Sequence, residues 1–238
     1  MRLINIGIIT YNHNHLKTAQ VVKNIIKRDK GYSLKLYALP FVSRAQRQVL
    51  FNHRPPQENA EHPKELAEKY NLSFKTVSAD TEIDNTCDIY IITGAGILSP
   101  QCVRNKKILN CHSGIIPMMR GLDSFKWAIY EQKPVGNTLH FIDEQVDKGE
   151  IISVIKTEIL KEDTIESFAG RHYENEIEML SNFDKHLKNP QNPFRECETG
   201  RAFRRMPIAV EQELSKCFDE YKTRDFIPRV LFEGAQKT

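Results

Sequence analysis

Residues 3–39, LINIGIITYNHNHLKTAQVVKNIIKRDKGYSLKLYAL, contain the pattern that decides the fold. Residues 3–10 are apolar, and mostly β-branched, at nearly every position, which is typical of a strand buried on both faces. Residues 15–27 carry apolar side chains at helical spacing, and residues 33–39 alternate as a second strand. A strand, a helix and a strand in this order favour the α/β class, with a parallel sheet and crossover helices.

The alternation continues through most of the chain. Further strands are predicted at residues 72–77, 88–93, 107–111, 136–142 and 151–160, and further helices at residues 63–70, 123–132 and 164–187. Asp123 and Asp163 precede the last two helices, where an Asp side chain can cap the first turn. We predict a Rossmann-like, mostly parallel sheet with flanking helices over residues 1–188.

Residues 189–238 form a short C-terminal extension with a weak strand near residue 202 and a helix over residues 208–221. A piece of this size rarely carries a hydrophobic core of its own. We therefore expect the extension to pack on the main domain or on a second subunit.

Composition excludes several classes of function. The formal net charge is only +3, which gives no reason to expect a nucleic-acid or membrane-surface partner. No apolar run approaches the ~20 residues that a membrane span needs. The five cysteines include no CxxC pair, which favours free thiols in the cytoplasm. His13 and His15 have no third ligand nearby, so we expect no metal, and Asn12 or Asn14 is the better candidate for capping the following helix.

Polar side chains cluster where the predicted strand over residues 107–111 ends. Asn110 and His112 are two residues apart, so they face the same side of an extended segment, whereas Cys111 faces the core. Ligands of open α/β sheets bind beyond the carboxyl ends of strands. An amide and an imidazole suit acyl transfer to an amine, because Asn110 can donate a hydrogen bond to the oxyanion and His112 can move a proton.

Asp147 is a candidate for a third group. It precedes a glycine turn between two predicted strands, where its carboxylate can orient a histidine and stabilise the charged ring. Simpler roles exist as well, since a lone histidine is often a core residue, an Asp before Gly forms turns, and His140 lies within a strand. No GxSxG nucleophile is present, and none is needed when the amine is the nucleophile.

These residues resemble the folate-dependent formyltransferases. The family pattern is Asn-x-His-Ser/Gly, a Pro-x-x-Arg-Gly loop, Gly-x-Thr-x-His and Asp-x-Gly-x-Ile. This chain carries it at Asn110, His112, Ser113, Pro117, Arg120, Gly121, Gly136, Thr138, His140, Asp147, Gly149 and Ile151. The resemblance covers residues 3–187 and implies formyl transfer from 10-formyltetrahydrofolate to a primary amine, with Asn110, His112 and Asp147 as the catalytic residues.

The resemblance also implies where the two substrates bind. The pterin pocket is expected at Thr93, Gly94, Ala95, Gly96, Ile97 and Leu98, opposite Asp143 and Val146. Two glycines there allow a flat ring to approach the backbone closely. Acceptor contacts are expected from Asn12, His13, Arg44, Arg47, Ser113, Gly114 and Arg120. The loop over residues 41–63 adds Arg54, Phe41 and Phe51, since guanidinium groups suit a pyrophosphate and aromatic rings suit a stacked base.

The choice among acceptors is limited by the motifs that the chain lacks. Glycinamide ribonucleotide enzymes carry a Gly-x-Gly-Ser-Asn loop after the first strand, where this chain has Thr-Tyr-Asn-His at residues 10–13. Methionyl-tRNA formyltransferases have a basic second domain. The group that remains formylates nucleotide-linked amino sugars for surface polysaccharides, and its short members are commonly homodimers. The alternatives are another small amine, including glycinamide ribonucleotide, a hydrolase of formyl-folate, and a non-catalytic folate- or nucleotide-binding protein.

Overall fold

The structure is a computed structural model that describes residues 3–43, 48–143 and 149–224. The strands are β1 (Asn5–Tyr11), β2 (Ser33–Leu39), β3 (Ser73–Thr76), β4 (Ile89–Ile92), β5 (Ile108–His112), β6 (Arg120–Gly121), β7 (Gly136–Phe141), β8 (Ile151–Lys156) and β9 (Ala202–Phe203). Seven of them form one sheet in the order β3-β2-β1-β4-β5-β7-β8. β1 to β5 are parallel, and β7 and β8 are antiparallel to their neighbours. The predicted α/β fold is confirmed.

The helices lie on both faces of this sheet. They are α1 (Leu16–Lys27), α2 (Pro63–Lys69), α3 (Pro100–Val103), α4 (Ser124–Tyr130), α5 (Ile165–Ser181), α6 (Phe183–Lys188), α7 (Ile208–Glu211) and α8 (Leu214–Lys222). α1 and α5 cover one face through a cluster that includes Val22 and Leu180, and a second cluster around Tyr37 and Tyr90 covers the other. In the described residues, no helix is long and apolar enough to cross a membrane.

Several predicted helix ends are wrong. The helix expected over residues 164–187 breaks at Asn182 into α5 and α6. Thr164, not Asp163, caps α5, through a bond from the Ser167 backbone N–H. Asp163 instead binds Arg171 in two N–H···O contacts of 2.7 and 2.8 Å. The ion pair with Arg171, two turns into the helix, therefore replaces the capping bond that Asp163 was expected to make.

Two other capping predictions also fail. Asp123 precedes α4 but makes no capping bond, since its carboxylate accepts from the Met206 backbone N–H at 2.9 Å. The residue at the start of α1 is His15, rather than Asn12 or Asn14, and its side chain makes no capping bond. The short α3 and the 3-10 turn at Asp80–Glu82 were not predicted, because four or three residues show no periodicity.

The described part of the C-terminal extension, residues 189–224, packs on the main domain. Its strand β9 pairs in parallel with β6. Its apolar side chains, including Phe203, Leu214 and Phe218, share one cluster with α4 and the start of α5. Gly121 has φ +90°, and a Cβ there would lie 2.2 Å from the Phe203 carbonyl oxygen, so glycine is required where the two strands meet. Docking on the main domain was one of the two expected outcomes, and the boundary at residue 188 stays a prediction.

Candidate functional site

The carboxyl end of β5 brings Asn110 beside His140. In the antiparallel β5–β7 pair, Asn110 lies opposite His140 and His112 lies opposite Thr138, so all four side chains share one face. The Asn110 Nδ2 lies 3.2 Å from His140 Nε2, and His140 Nδ1 lies 3.2 Å from the Phe141 carbonyl oxygen. Together these contacts require His140 to be protonated on Nδ1 and to accept from Asn110 on Nε2. His140 therefore orients the Asn110 amide.

His112 is held by the loop that follows β5. Its Nε2 lies 3.0 Å from the Met119 carbonyl oxygen and 3.2 Å from Ser124 Oγ, which itself donates to the Gly121 carbonyl at 3.1 Å. A carbonyl only accepts, so His112 carries a proton on Nε2. In a neutral ring the lone pair is then on Nδ1.

The segment after His112 is fixed by tight packing. Thr138 Oγ1 donates to the Gly114 carbonyl at 2.7 Å and accepts from the Ile116 N–H at 3.0 Å. A Cβ on Gly114 would lie 2.5 Å from the Met119 carbonyl oxygen and 2.9 Å from His112 Nε2. Gly114 therefore leaves the space that the histidine needs. Ser113 is half-buried next to it.

A buried hydroxyl network lies at the ends of β1 and β4. Thr18 Oγ1 is 2.6 Å from Thr10 Oγ1, 2.9 Å from Thr93 Oγ1 and 2.8 Å from His15 Nδ1. A Cβ on Gly94 would lie 2.9 Å from the His15 ring, so this ring packs directly on the predicted pterin segment. In the sequence, His15 is only a weak candidate metal ligand, and the network leaves no pattern there because its members are spread over three elements.

A buried ionic cluster lies beside this network. Glu176 is 1% exposed, and its two oxygens lie 2.5 Å from Lys17 Nζ and 2.8 Å from Arg54 Nη2. Burial raises the pKa of Glu176, but Arg54 and Lys17 outweigh it and bring the value to about 2. The prediction that Arg54 is available to clamp a pyrophosphate needs correction, since this guanidinium already pairs with a buried carboxylate.

Neutral histidines surround the cluster. Burial, and then Lys17 and Arg54, lower the pKa of His15 to about 4. Burial lowers the pKa of His172 to about 3, and that of His53 well below its usual value. Since cations lie close by, a further positive charge on these rings is unfavourable. His53, His172 and Glu176 were not predicted as site residues. His172 and Glu176 lie on the buried face of α5, and His53 lies in a loop without a sequence pattern.

Some of the residues predicted to contact the acceptor lie together at the ends of β1 and β2. The His13 and Phe41 rings lie 4.4 Å apart, Tyr11 meets Phe41 edge-on at 5.4 Å, and Phe41 is 46% exposed. Asn12 is exposed, and its backbone N–H donates to the Leu39 carbonyl. Arg44 and Arg47 lie outside the described residues.

Phe51 is not an exposed stacking surface, which corrects its predicted role. It packs against the cluster shared by α4 and the C-terminal extension, 6.3 Å from the Phe125 ring. Arg120 also faces the extension, because its Nη2 donates to the Gly200 carbonyl at 2.7 Å. Arg120 therefore attaches the extension to the loop that holds His112.

The predicted pterin segment, residues 93–98, contains both buried and exposed residues. Thr93 is buried in the hydroxyl network, and Ala95 and Leu98 pack partly against the core. At Gly96 a Cβ would meet nothing within 4 Å, and Ile97 is 85% exposed. Asp143 is exposed, two residues after the end of β7. The remaining residues predicted for this region, Val146 and Asp147, lie outside the described residues.

Two further observations concern Cys111 and the side chains that could bind a metal. Cys111 faces the core as predicted, and burial raises the pKa of its thiol far above the usual value. Across residues 3–43, 48–143 and 149–224, no group of three or more His, Cys, Asp or Glu side chains could hold a metal ion.

Residues 42–183, more than half of the chain, match the family model described as formyl transferase. A stretch of 113 residues is 34% identical to phosphoribosylglycinamide formyltransferase from Haemophilus influenzae, covering 46% of this chain and 53% of that protein. The chain thus matches about half the length of this curated relative.

Two solved structures share the fold. A sugar N-formyltransferase from Shewanella sp. FDAARGOS_354 has a TM-score of 0.55 and 16% identity, covering 87% of this chain and 76% of that one. Phosphoribosylglycinamide formyltransferase from Streptococcus pneumoniae TIGR4 has a TM-score of 0.54 and 17% identity, covering 79% of this chain and 100% of that one. At such identities the likeness concerns the fold alone.

Proposed function

Because the chain belongs to the formyl transferase family, we propose that it transfers a formyl group from 10-formyltetrahydrofolate to a primary amine. The observation that carries the proposal is the pair of oriented side chains at the end of β5. Asn110 is turned by His140, and His112 is held with its Nε2 proton on the Met119 carbonyl. Both lie at the sheet end where α/β enzymes bind ligands.

These groups suit each part of the reaction. The folate carrier supplies the formyl carbon in an activated amide. As the amine attacks that carbon, its oxygen gains negative charge, and the Asn110 amide has a second N–H that can donate to it. His112 can take the amine proton and return it to the nitrogen that leaves as the old C–N bond breaks. A carboxylate such as Asp147 would stabilise the protonated ring between these two steps.

The residues at the end of β4 fit a folate ring. The backbone at Gly96 is open on its Cβ side, so a flat ring can approach it closely. The exposed Ile97 side chain offers an apolar surface beside that backbone. His15, packed on Gly94, closes the side toward α1. No metal is needed for this chemistry.

The proposed acceptor is the amine of a nucleotide-linked amino sugar, used for a surface polysaccharide and formylated in the cytoplasm. Two features support it. The glycine-rich loop of glycinamide ribonucleotide enzymes is replaced by residues 10–13, Thr-Tyr-Asn-His. The exposed Phe41 ring, next to His13, suits a nucleobase.

A phosphoribosyl amine is the second candidate, because the 34% identical relative acts, by its name, on phosphoribosylglycinamide. The test is incubation with 10-formyltetrahydrofolate and either dTDP-, GDP- and UDP-linked amino sugars or glycinamide ribonucleotide, followed by mass spectrometry. A mass gain of one formyl group on a nucleotide sugar supports the proposal. A gain only on glycinamide ribonucleotide rejects the sugar, and no gain on any amine rejects formyl transfer.

A further inference from the structure

The loop that follows β5 carries two hydrogen-bond partners of the His112 ring. The Met119 carbonyl oxygen lies 3.0 Å from His112 Nε2, and Ser124 Oγ, at the start of α4, lies 3.2 Å from the same nitrogen. On either side of these two partners, the chain is bonded to residues 200–206 of the C-terminal extension. The orientation of the ring therefore depends on how the extension holds this loop.

Hydrogen bonds to the extension flank Met119. The Gly200 N–H donates to the Pro117 carbonyl at 3.0 Å, and the Gly200 carbonyl accepts from Arg120 Nη2 at 2.7 Å. A Cβ on Gly200 would lie 1.9 Å from the Met118 carbonyl oxygen, so the two segments are in direct backbone contact. Met119 is thus enclosed between bonds to the extension at Pro117 and at Arg120.

Ser124 is held in a similar way. The Leu122 N–H donates to the Phe203 carbonyl at 2.9 Å, and Asp123 Oδ2 accepts from the Met206 N–H at 2.9 Å. Asp123 has φ +54°, a left-handed conformation that costs a non-glycine residue free energy unless its surroundings hold it. The extension therefore keeps in place the residue that directly precedes Ser124.

Apolar packing adds to these bonds. Met119, Phe203 and Met206 are buried, and they share one cluster with Phe125 and Trp127 of α4. Hydrogen bonds beside such a cluster are shielded from water, which makes them stronger than the same bonds on an open surface. The loop and residues 200–206 therefore form one packed unit beside His112.

We propose that residues 200–206 of the extension position His112 for proton transfer, with Asp123 as the positioning residue through which they hold Ser124. The extension then acts on the reaction through the loop and the His112 ring. This inference rests on the proposed function, since it takes His112 as the group that moves the proton. A reacting group misplaced by about 1 Å can cost up to a hundredfold in rate, so a loosened loop should lower kcat more than it changes either KM.

The test compares Asp123→Gly with Asp123→Asn in the full-length chain. Glycine adopts a positive φ without strain but cannot accept from the Met206 N–H, whereas asparagine tolerates this conformation and keeps an oxygen that can accept. Both variants lose the ion pair with the exposed Arg205, so that pair cannot explain a difference between them. We expect kcat to fall about tenfold in Asp123→Gly and to stay within about twofold of the wild type in Asp123→Asn. Both KM values should change less than about twofold.

Two further variants change the extension itself. Gly200→Ala places a Cβ against the Met118 carbonyl, so it should push the two segments apart and lower kcat in the same way. Tyr221→Phe is the control, because this hydroxyl of α8 accepts from the Val135 N–H at 3.0 Å, outside the loop, and its loss should leave kcat and both KM values near those of the wild type. An equal effect of Tyr221→Phe, or a rise in acceptor KM at unchanged kcat in Asp123→Gly, overturns the inference.

A readout without turnover separates this inference from the proposed function. Heteronuclear NMR of the histidine rings in alkaline buffer, with His112→Asn to identify the signals, reports which ring nitrogen carries the proton. The wild type and Asp123→Asn should show His112 protonated on Nε2, and Asp123→Gly should show a mixture of the two tautomers. Unchanged His112 signals in Asp123→Gly overturn the inference even if kcat falls. If no amine is formylated, the proposed function fails, while the ring signals still decide whether the extension positions His112.

Discussion

At the scale of single residues, the site depends on hydrogen bonds that set histidine tautomers. His140 donates from Nδ1 to the Phe141 carbonyl, so its Nε2 turns the Asn110 amide. His112 donates from Nε2 to the Met119 carbonyl, so this nitrogen carries a proton. Neither assignment could be made from the Asn-x-His pattern, because both depend on carbonyl groups outside it.

Replacing His112 by Asn should lower kcat by about a hundredfold or more, since a proton-transfer group is lost. Asn is polar and smaller, so the fold should survive. Steady-state kinetics with 10-formyltetrahydrofolate and the identified acceptor check this. Cys111→Ala is the control, because Cys111 faces the core and should change kcat less than about twofold at some cost in stability. Near-wild-type turnover in His112→Asn would contradict the catalytic assignment.

A methyl group added at Gly114 should also impair activity. Its Cβ would lie 2.5 Å from the Met119 carbonyl oxygen and 2.9 Å from His112 Nε2, so the bond between them cannot stay in place. We expect kcat for Gly114→Ala to fall by about tenfold or more, since misplacing a reacting group by about 1 Å costs up to a hundredfold. Kinetics and a melting curve measured together check this, and unchanged kcat in a folded variant would show that the His112 position is not critical.

At the scale of elements, long-range side-chain contacts decide where helices begin and end. Asp163 binds Arg171, and Asp123 binds the Met206 N–H, so neither caps the helix that follows it. The sequence predicted the existence of α1 from its apolar spacing, of α2 from Pro63 at its start, and of α4 and α5 from the Asp that precedes each of them. It missed the break at Asn182 and the cap at Thr164, which depend on neighbours in three dimensions.

The exposed Gly170 gives a stability test within α5. A Cβ there would meet nothing within 4 Å, and the backbone is helical. Gly170→Ala should raise the free energy of unfolding by about 0.5–1 kcal/mol, since alanine loses less conformational entropy in a helix. Urea denaturation of both chains measures the change. Lower stability would mean that this face of α5 packs against another molecule in solution, such as a second copy of the chain.

At the scale of the whole molecule, three histidines with lowered pKa values, of which His172 is buried, make stability depend on pH. The pKa of His172 is about 3 in the folded chain, against about 6.5 in an unfolded one. Between these values the unfolded chain binds more protons, so the free energy of unfolding falls as the pH drops below about 6.5. Glu176, with a pKa of about 2, adds a loss in the same direction only below about pH 4.5.

Urea denaturation between pH 7.5 and 5 should therefore show stability falling with acid. For His172→Asn, the slope between pH 6.5 and 5 should be smaller by up to about 1.4 kcal/mol per pH unit. Above pH 7 the two slopes should coincide, which serves as the internal control. Equal slopes throughout the range would show that His172 has the same pKa in the folded and the unfolded chain.

The proposed homodimer is a prediction for the assembled molecule. The extension packs on its own domain through Phe203, Leu214 and Phe218, so a second subunit is not needed to cover these side chains. The expectation of a dimer therefore comes from the resemblance to short sugar formyltransferases. Light scattering at micromolar concentration should give twice the 27.6 kDa chain mass. A mass of one chain would reject it.

The mostly parallel sheet, the position of Asn110 and His112 at a strand end, and the family of the chain could all be predicted from the amino-acid pattern. Each of these depends on short-range features: a period of two or 3.6, or a few residues at constant spacing. The pairs Glu176–Lys17, 159 residues apart, and Glu211–Leu50, 161 residues apart, are seen only in the folded chain. Such pairs leave no periodic pattern in the sequence, because their members come into contact only when the sheet, α5 and the extension pack together.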